Sequence, residues 1–129
     1  MLTNQIHPTP KQLAQLQTYP KNTPVVMVNI LKFKTKTDSG ESGQEAYARY
    51  FKNAGPFVAK SGAKLVWKGH VHGSLIGNAD NQPHIIFLVE YPSVDHFLAM
   101  AGNPDYQKIA TDRSMALEYG GLIACQPDI

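Results

Sequence analysis

Two stretches of the chain are apolar at nearly every position. In residues Val25 to Phe33, one side carries Val25, Met27, Asn29, Leu31 and Phe33, and the other Val26, Val28, Ile30 and Lys32. From His84 to Tyr91, Ile86 and Leu88 stand against Ile85, Phe87 and Val89. β-Branched residues dominate the first stretch and no breaker interrupts it, and the second is likewise apolar on both faces, so both read as strands. Ala63 to Val71 alternates instead, with Leu65 and Trp67 on one side and Lys64, Lys68 and His70 on the other. Lysines along one face mark an edge strand. Leu122 to Gln126 reads as the last strand.

Helical spacing fills the intervals. From about Glu45, the residues Tyr47, Tyr50, Phe51, Ala54, Phe57 and Val58 recur three or four apart, with Gly55-Pro56 expected to kink the helix and Gly62 placed as a left-handed cap. Ser93 caps a short helix through Phe97, Leu98 and Met100, ended by Gly102-Asn103. Pro104 opens another, with Tyr106, Ile109, Ala110, Arg113, Ala116 and Leu117 on one stripe and Gly120-Gly121 as its terminator. Near the amino terminus, Thr9-Pro10-Lys11-Gln12 has the form of a capping box, giving a helix to about Gln17. Tyr19-Pro20 and Thr23-Pro24 then form a linker, and residues 35–44 and 73–83 read as loops. Residues 1–24 are therefore a helical extension, and 25–129 one domain of order β-α-β-β-α-β, the α+β plan called ferredoxin-like.

In that plan both helices cover one face of a four-stranded antiparallel sheet. A helix-free face in water calls for polar alternation, and the first and third strands lack it. Exposing several large side chains forgoes roughly 1.5–3 kcal/mol each, and an apolar patch of that size marks an interface. The simplest cover is the same face of a second copy, a homodimer about a two-fold axis. The alternative cover is the N-terminal helix, whose two leucines offer little apolar surface.

At 129 residues there is room for one core. Twelve basic against ten acidic residues is too even a balance for a charge-driven nucleic-acid or membrane partner. The third strand also lacks the basic, glycine and aromatic start of an RNA-recognition strand. No run approaches the roughly 18 apolar residues of a membrane span. Met1 to Pro10 lacks a signal peptide's apolar centre, and Cys125 is the single cysteine, so a cytoplasmic location is expected.

Several segments together resemble a known family: the first strand, Ala46-Tyr47-Ala48-Arg49-Tyr50, the Gly62-to-Gly69 stretch, Leu88-Val89-Glu90-Tyr91-Pro92-Ser93, Phe97-Leu98-Ala99-Met100, Pro104-Asp105-Tyr106, and Arg113 with Ala116-Leu117. In that order they are similar to domain-of-unknown-function family 1330, within the dimeric α/β-barrel superfamily, over about residues 25–125. The resemblance implies a homodimer whose two sheets face each other as a barrel, with a small pocket in each subunit. The superfamily includes cofactor-independent monooxygenases, lactone isomerases, haem-degrading enzymes and ligand-sensing domains, so the fold by itself does not select a chemistry. The N-terminal helix departs from the minimal module, with consequences expected for access to the pocket or for the dimer edge.

The residues offer a candidate binding set. Asn29 is the one amide on an apolar strand face and needs partners for both its oxygen and its nitrogen, from a neighbour or from a ligand. Arg113 falls on an apolar helical stripe. It either snorkels, pairs with Glu90 or Asp112, or holds a substrate carboxylate in a bidentate grip. Tyr47, Tyr50 and Trp67 could wall a small aromatic ligand or serve only as core. His70-x-His72, with His84, has a spacing that metals can use, but no carboxylate accompanies it, and no metal is expected. His70 is a candidate general base because imidazole titrates near neutral pH. His7 and His96 read as surface residues and Cys125 as a core thiol. No nucleophile elbow, phosphate loop or dinucleotide fingerprint is present, so no cofactor is expected. Two functions are consistent with this set: a cofactor-independent enzyme of monooxygenase or isomerase type acting on a small aromatic or carboxylated metabolite, or a non-catalytic ligand-binding or sensing homodimer. A titratable group within reach of the ligand separates them.

Overall fold

The two doubly apolar runs become the central pair of the sheet. In the computed structural model, which describes residues 6–77 and 80–128, the elements are α1 (Pro10–Leu16), β1 (Val25–Phe33), α2 (Gly43–Lys60), β2 (Lys64–His70), β3 (Ile85–Tyr91), α3 (Val94–Ala101), α4 (Pro104–Ala116) and β4 (Leu117–Cys125). The four strands are antiparallel, in the order β2-β3-β1-β4, which is the ferredoxin-like arrangement. The first five residues of the amino terminus and 78–79 within the 73–83 loop lie outside the described residues.

Burial alternates strictly along β1 and β3. Val25, Met27, Asn29, Leu31 and Phe33 are buried beside Ile85, Phe87, Val89 and Tyr91, and the intervening positions are half-exposed. The buried set faces α2, α3 and α4, and one cluster joins it to Ala46, Tyr47, Tyr50, Ala54, Val94, Met100, Ala116 and Leu117. Val26, Val28, Ile30, Ile86 and Leu88 occupy the helix-free face. Leu16 of α1 packs against the buried cluster, so α1 lies on the helix side and does not cover that face. It begins at the anticipated capping box, with Thr9 Oγ1 accepting from Gln12 N at 3.2 Å and Gln12 Oε1 accepting from Thr9 N at 2.9 Å.

Four local features differ from the sequence pattern. First, the β2–β3 register shifts between Leu65 and Trp67: Leu65 pairs with Val89 and Trp67 with Leu88, leaving Val66 as an extra residue. This bulge puts Leu65 and Trp67 on opposite faces of the sheet. Trp67 therefore lies on the helix-free side, its ring over Gly69, where an added Cβ would come within 2.5 Å of it. Lys68 turns to the helix side, with Nζ 4.3 Å from the Phe51 ring centre.

Second, α4 passes into β4 without a loop, since Leu117 is already extended (φ −105°, ψ 135°), so Gly120 and Gly121 lie inside the strand instead of ending the helix. Third, α2 starts earlier than Glu45, at a capping box in which Ser42 Oγ accepts from Glu45 N at 3.1 Å, and it runs unbroken through Pro56. Pro56 and Gly55 are exposed, so the carbonyl that loses its helical partner can be hydrated. Fourth, Cys125 is exposed rather than a core thiol, because it pairs with Val26 at the end of an edge strand, beyond the cover of the helices. Gly62 does take the left-handed conformation, at φ +83°.

Candidate functional site

Between the helix-side face of the sheet and α1, α2 and α4 lies a cleft of about 1550 Å³. Met27, Asn29, Phe87, Val89 and Tyr91 form its floor. Tyr47, Tyr50 and Phe51 of α2 and Tyr106 and Arg113 of α4 form its walls, and Ile6, His7, Leu13 and Leu16 its N-terminal side. At 3.6 residues per turn, spacings of three and four bring Tyr47, Tyr50 and Phe51 of α2 onto one face. Their rings lock together, with centres 5.2 Å apart for Tyr47–Tyr50 and 6.3 Å for Tyr47–Phe51. On its outer β4 side, Leu122 is 44% exposed although it shares the helix side with Asn29, its cross-strand partner, so the cleft opens there.

Arg113 is the one lysine or arginine among the described residues that line the cleft. Its Nη1 donates to the carbonyl of Ile6 at 3.0 Å and its Nη2 to the carbonyl of Gly120 at 3.2 Å. Both carboxylates that could have paired with it are engaged elsewhere. Asp112 accepts from Arg49 (Nε 3.2 Å, Nη2 3.1 Å), which also grips Glu41, and Glu90 lies 3.5 Å from Lys64. Among the described residues, no carboxylate lies within ion-pair distance of Arg113. Carbonyl dipoles fix its position but leave its charge uncancelled. A Cβ at Gly120 would sit 2.7 Å from Arg113 Nη2 and 2.6 Å from Leu117 Cδ1, so these side-chain ends would have to shift to admit one.

The polar groups around this cation are neutral. Asn29, 9% exposed, donates through Nδ2 to the Met27 carbonyl at 3.2 Å, and its Oδ1 has no partner among the described residues. The Tyr47 hydroxyl likewise has none. Tyr50 and Tyr106 hydroxyls bond to each other at 2.6 Å, and the Tyr91 hydroxyl points at Met100 Sδ at 3.8 Å. Burial pushes the phenols of Tyr47, Tyr50 and Tyr91 well above the usual tyrosine range, and the charge of Arg113 draws Tyr47 and Tyr50 part of the way back. At physiological pH these phenols are neutral donors and not bases.

Of the residues singled out in the sequence, Asn29, Tyr47, Tyr50 and Arg113 converge on this cleft. Trp67 does not, because the bulge sends it to the other face. His70 is exposed on β2, paired with Ile85 at the sheet edge, and is not among the lining residues. His84 serves the backbone: its Nδ1 accepts from Phe33 N at 3.0 Å and its ring stacks on Phe33. Among the described residues, no group of three or more His, Cys, Asp or Glu could hold a metal, and no helix is long and apolar enough to cross a membrane. Tyr91, Tyr106 and His7 also line the cleft, although the sequence had marked them only as a strand end, a helical stripe and a surface residue. His7 Nε2 lies 3.4 Å from Ser114 Oγ at the N-terminal side.

A family model, Domain of unknown function (DUF1330), matches residues 41–124, from just ahead of α2 to the end of β4. The chain belongs to the DUF1330 family. Among proteins of curated function, none matches it. A protein of unknown function from Rhodopseudomonas palustris, known by crystal structure, is 33% identical over 95% of this chain and 96% of its own, with a TM-score of 0.90. SnoaB, a cofactor-independent oxygenase from Streptomyces nogalater, is 14% identical over 83% of this chain and 95% of its own, at a TM-score of 0.56. A dimeric protein of unknown function and ferredoxin-like fold from Bacteroides fragilis is 12% identical over 81% and 96%, at 0.54. At such identities the last two speak for the fold of this DUF1330 protein alone.

Proposed function

We propose that the cleft binds a small aromatic carboxylate, with Arg113 holding the anionic group and Tyr47, Tyr50 and Asn29 ordering the ring and its substituents. The observation that carries this reading is the uncancelled guanidinium in an otherwise neutral, aromatic-walled cleft. A cation there lowers the free energy of an anionic guest, and two backbone carbonyls hold the guanidinium ready at little further entropic cost. Removing that charge-assisted contact should cost about 1.5–3 kcal/mol, or roughly ten- to a hundredfold in affinity. Calorimetric titration of benzoate and substituted benzoates into the parent and Arg113→Gln proteins tests this. Equal affinity in the two proteins would remove Arg113 from the site.

A second reading, catalysis without a cofactor on the same guest by oxygenation or isomerisation, draws support from the hydroxyls that face the cleft, because such donors stabilise an enolate or phenolate as it forms. His70 as its general base has no support from the edge position on β2. The binding reading needs no base and is preferred. Two copies would join through the helix-free sheet faces, leaving one cleft in each subunit.

A further inference from the structure

We propose that the Tyr50–Tyr106 hydroxyl pair is the second anchor of the cleft, donating a hydrogen bond to a neutral oxygen of the guest, so that the cleft selects hydroxy- or oxo-substituted aromatic acids over unsubstituted ones. This rests on the reading of Arg113 as the carboxylate site and adds a requirement on the rest of the molecule. The two oxygens are 2.6 Å apart, across the gap between α2 and α4. Two hydroxyls bring two protons, and one of these forms the bond between them. The other has no acceptor among the described residues, although both side chains line the cleft. A donor left without an acceptor in a site this sheltered is costly unless water or a guest supplies one, and Tyr50 is only 8% exposed.

The rings around the pair hold it in place. Tyr50 packs against Tyr47 with centres 5.2 Å apart, and Tyr106 meets Tyr50 and Phe57 edge-on at 6.3 and 6.0 Å. Burial, followed by the neighbouring Tyr106, keeps the Tyr50 phenol protonated far above neutral pH. The pair therefore offers a hydrogen bond to a carbonyl or a ring hydroxyl and takes no proton from it. Its bonded partner also polarises the free O–H, which strengthens the donation.

A plain tie between two helices would produce the same short contact, and selectivity separates the two roles. Benzoate, the three monohydroxybenzoates and the three methylbenzoates of matching shape are titrated into the parent, Tyr50→Phe and Tyr106→Phe proteins, with melting temperatures recorded alongside. The anchor predicts that at least one hydroxybenzoate binds the parent about tenfold tighter than its methyl counterpart. Both Phe variants should lose that ratio, whatever change they make to the affinity for benzoate itself. Benzoate binding with no hydroxyl preference, or a preference that survives in both variants, overturns the anchor and leaves the Arg113 reading standing. Absence of binding by every acid in the parent protein overturns both.

Discussion

Gly120 and Arg113 form a unit. The guanidinium rests on the β4 backbone because position 120 has no side chain, and the Gly120 carbonyl is one of its two acceptors. Gly120→Ala should therefore impair anion binding although Arg113 is intact, since the new methyl occupies the space of Nη2 or of Leu117 Cδ1. We expect a stability loss of about 1–3 kcal/mol from overpacking, together with a benzoate affinity reduced toward that of Arg113→Gln. Urea denaturation and calorimetry measure the two effects, and an unaltered affinity would mean that the guanidinium does not depend on this seat. Arg113 was legible in the sequence as a charge on an apolar stripe. Its glycine was not, because Gly120-Gly121 after a helix has the form of a stop signal and nothing local reveals that an arginine lies across it. Asn29, Tyr47 and Tyr50 were legible from periodicity alone. Tyr106 was placed on the correct stripe, but its role depends on α2 standing opposite, which is tertiary information.

At the level of elements, α2, α4 and the sheet meet through buried phenols, and this gives the interface a definite pH response. Tyr47 and Tyr50 of α2 and Tyr91 of β3 are held above the usual tyrosine range, mainly by burial. In the unfolded chain they ionise near pH 10. Above that pH the unfolded state holds fewer protons than the folded one, so stability falls as pH rises, by about 1.4 kcal/mol per tyrosine per pH unit. Below it both states are protonated and these groups contribute no slope. Urea midpoints should decline steeply from about pH 10, and the tyrosinate absorbance of these residues should appear with unfolding and not before it. Absorbance rising well ahead of the unfolding transition would show that these phenols are not sheltered. Element order was readable from hydrophobic period and capping chemistry, and α1, α3 and the start of α4 followed from Thr9, Ser93 and Pro104. Two strands depart from the sequence pattern at single junctions. One extra residue, Val66, reverses the faces of β2 after it, and strict alternation cannot show an insertion. The start of β4 was hidden because Leu117 continues the α4 stripe while already in strand geometry.

For the whole molecule, the helix-free face has the layout of an interface. Its centre is apolar, with Val26, Val28, Ile30, Ile86 and Leu88 joined by the 54% exposed Trp67 and the 52% exposed Ile123. Its charged residues lie toward the strand ends and pair off, Lys64 with Glu90 at 3.5 Å and Lys32 with Glu118 at 3.7 Å. An apolar centre with a charged rim is how protein interfaces are built, and α1 is committed to the opposite side. Because Trp67 is the only tryptophan, its fluorescence reports on this face alone. Two copies joined sheet to sheet would shelter the indole, so emission at micromolar concentration should be that of a buried tryptophan and should move to longer wavelength as dilution separates the subunits. Light scattering should give twice 14.2 kDa before dilution. Val28→Glu, which would bury an unpaired carboxylate at the centre of the contact, should yield single subunits with water-exposed emission already at high concentration. Arg113→Gln, on the far side of the sheet, should leave both readings as they are. Were the parent protein to scatter as one subunit with a solvent-exposed indole at every concentration, the sheet-to-sheet dimer would be excluded. The part of the cleft that carries Asn29, Tyr47, Tyr50 and Arg113 is built within one subunit on the other side of the sheet and does not depend on that result.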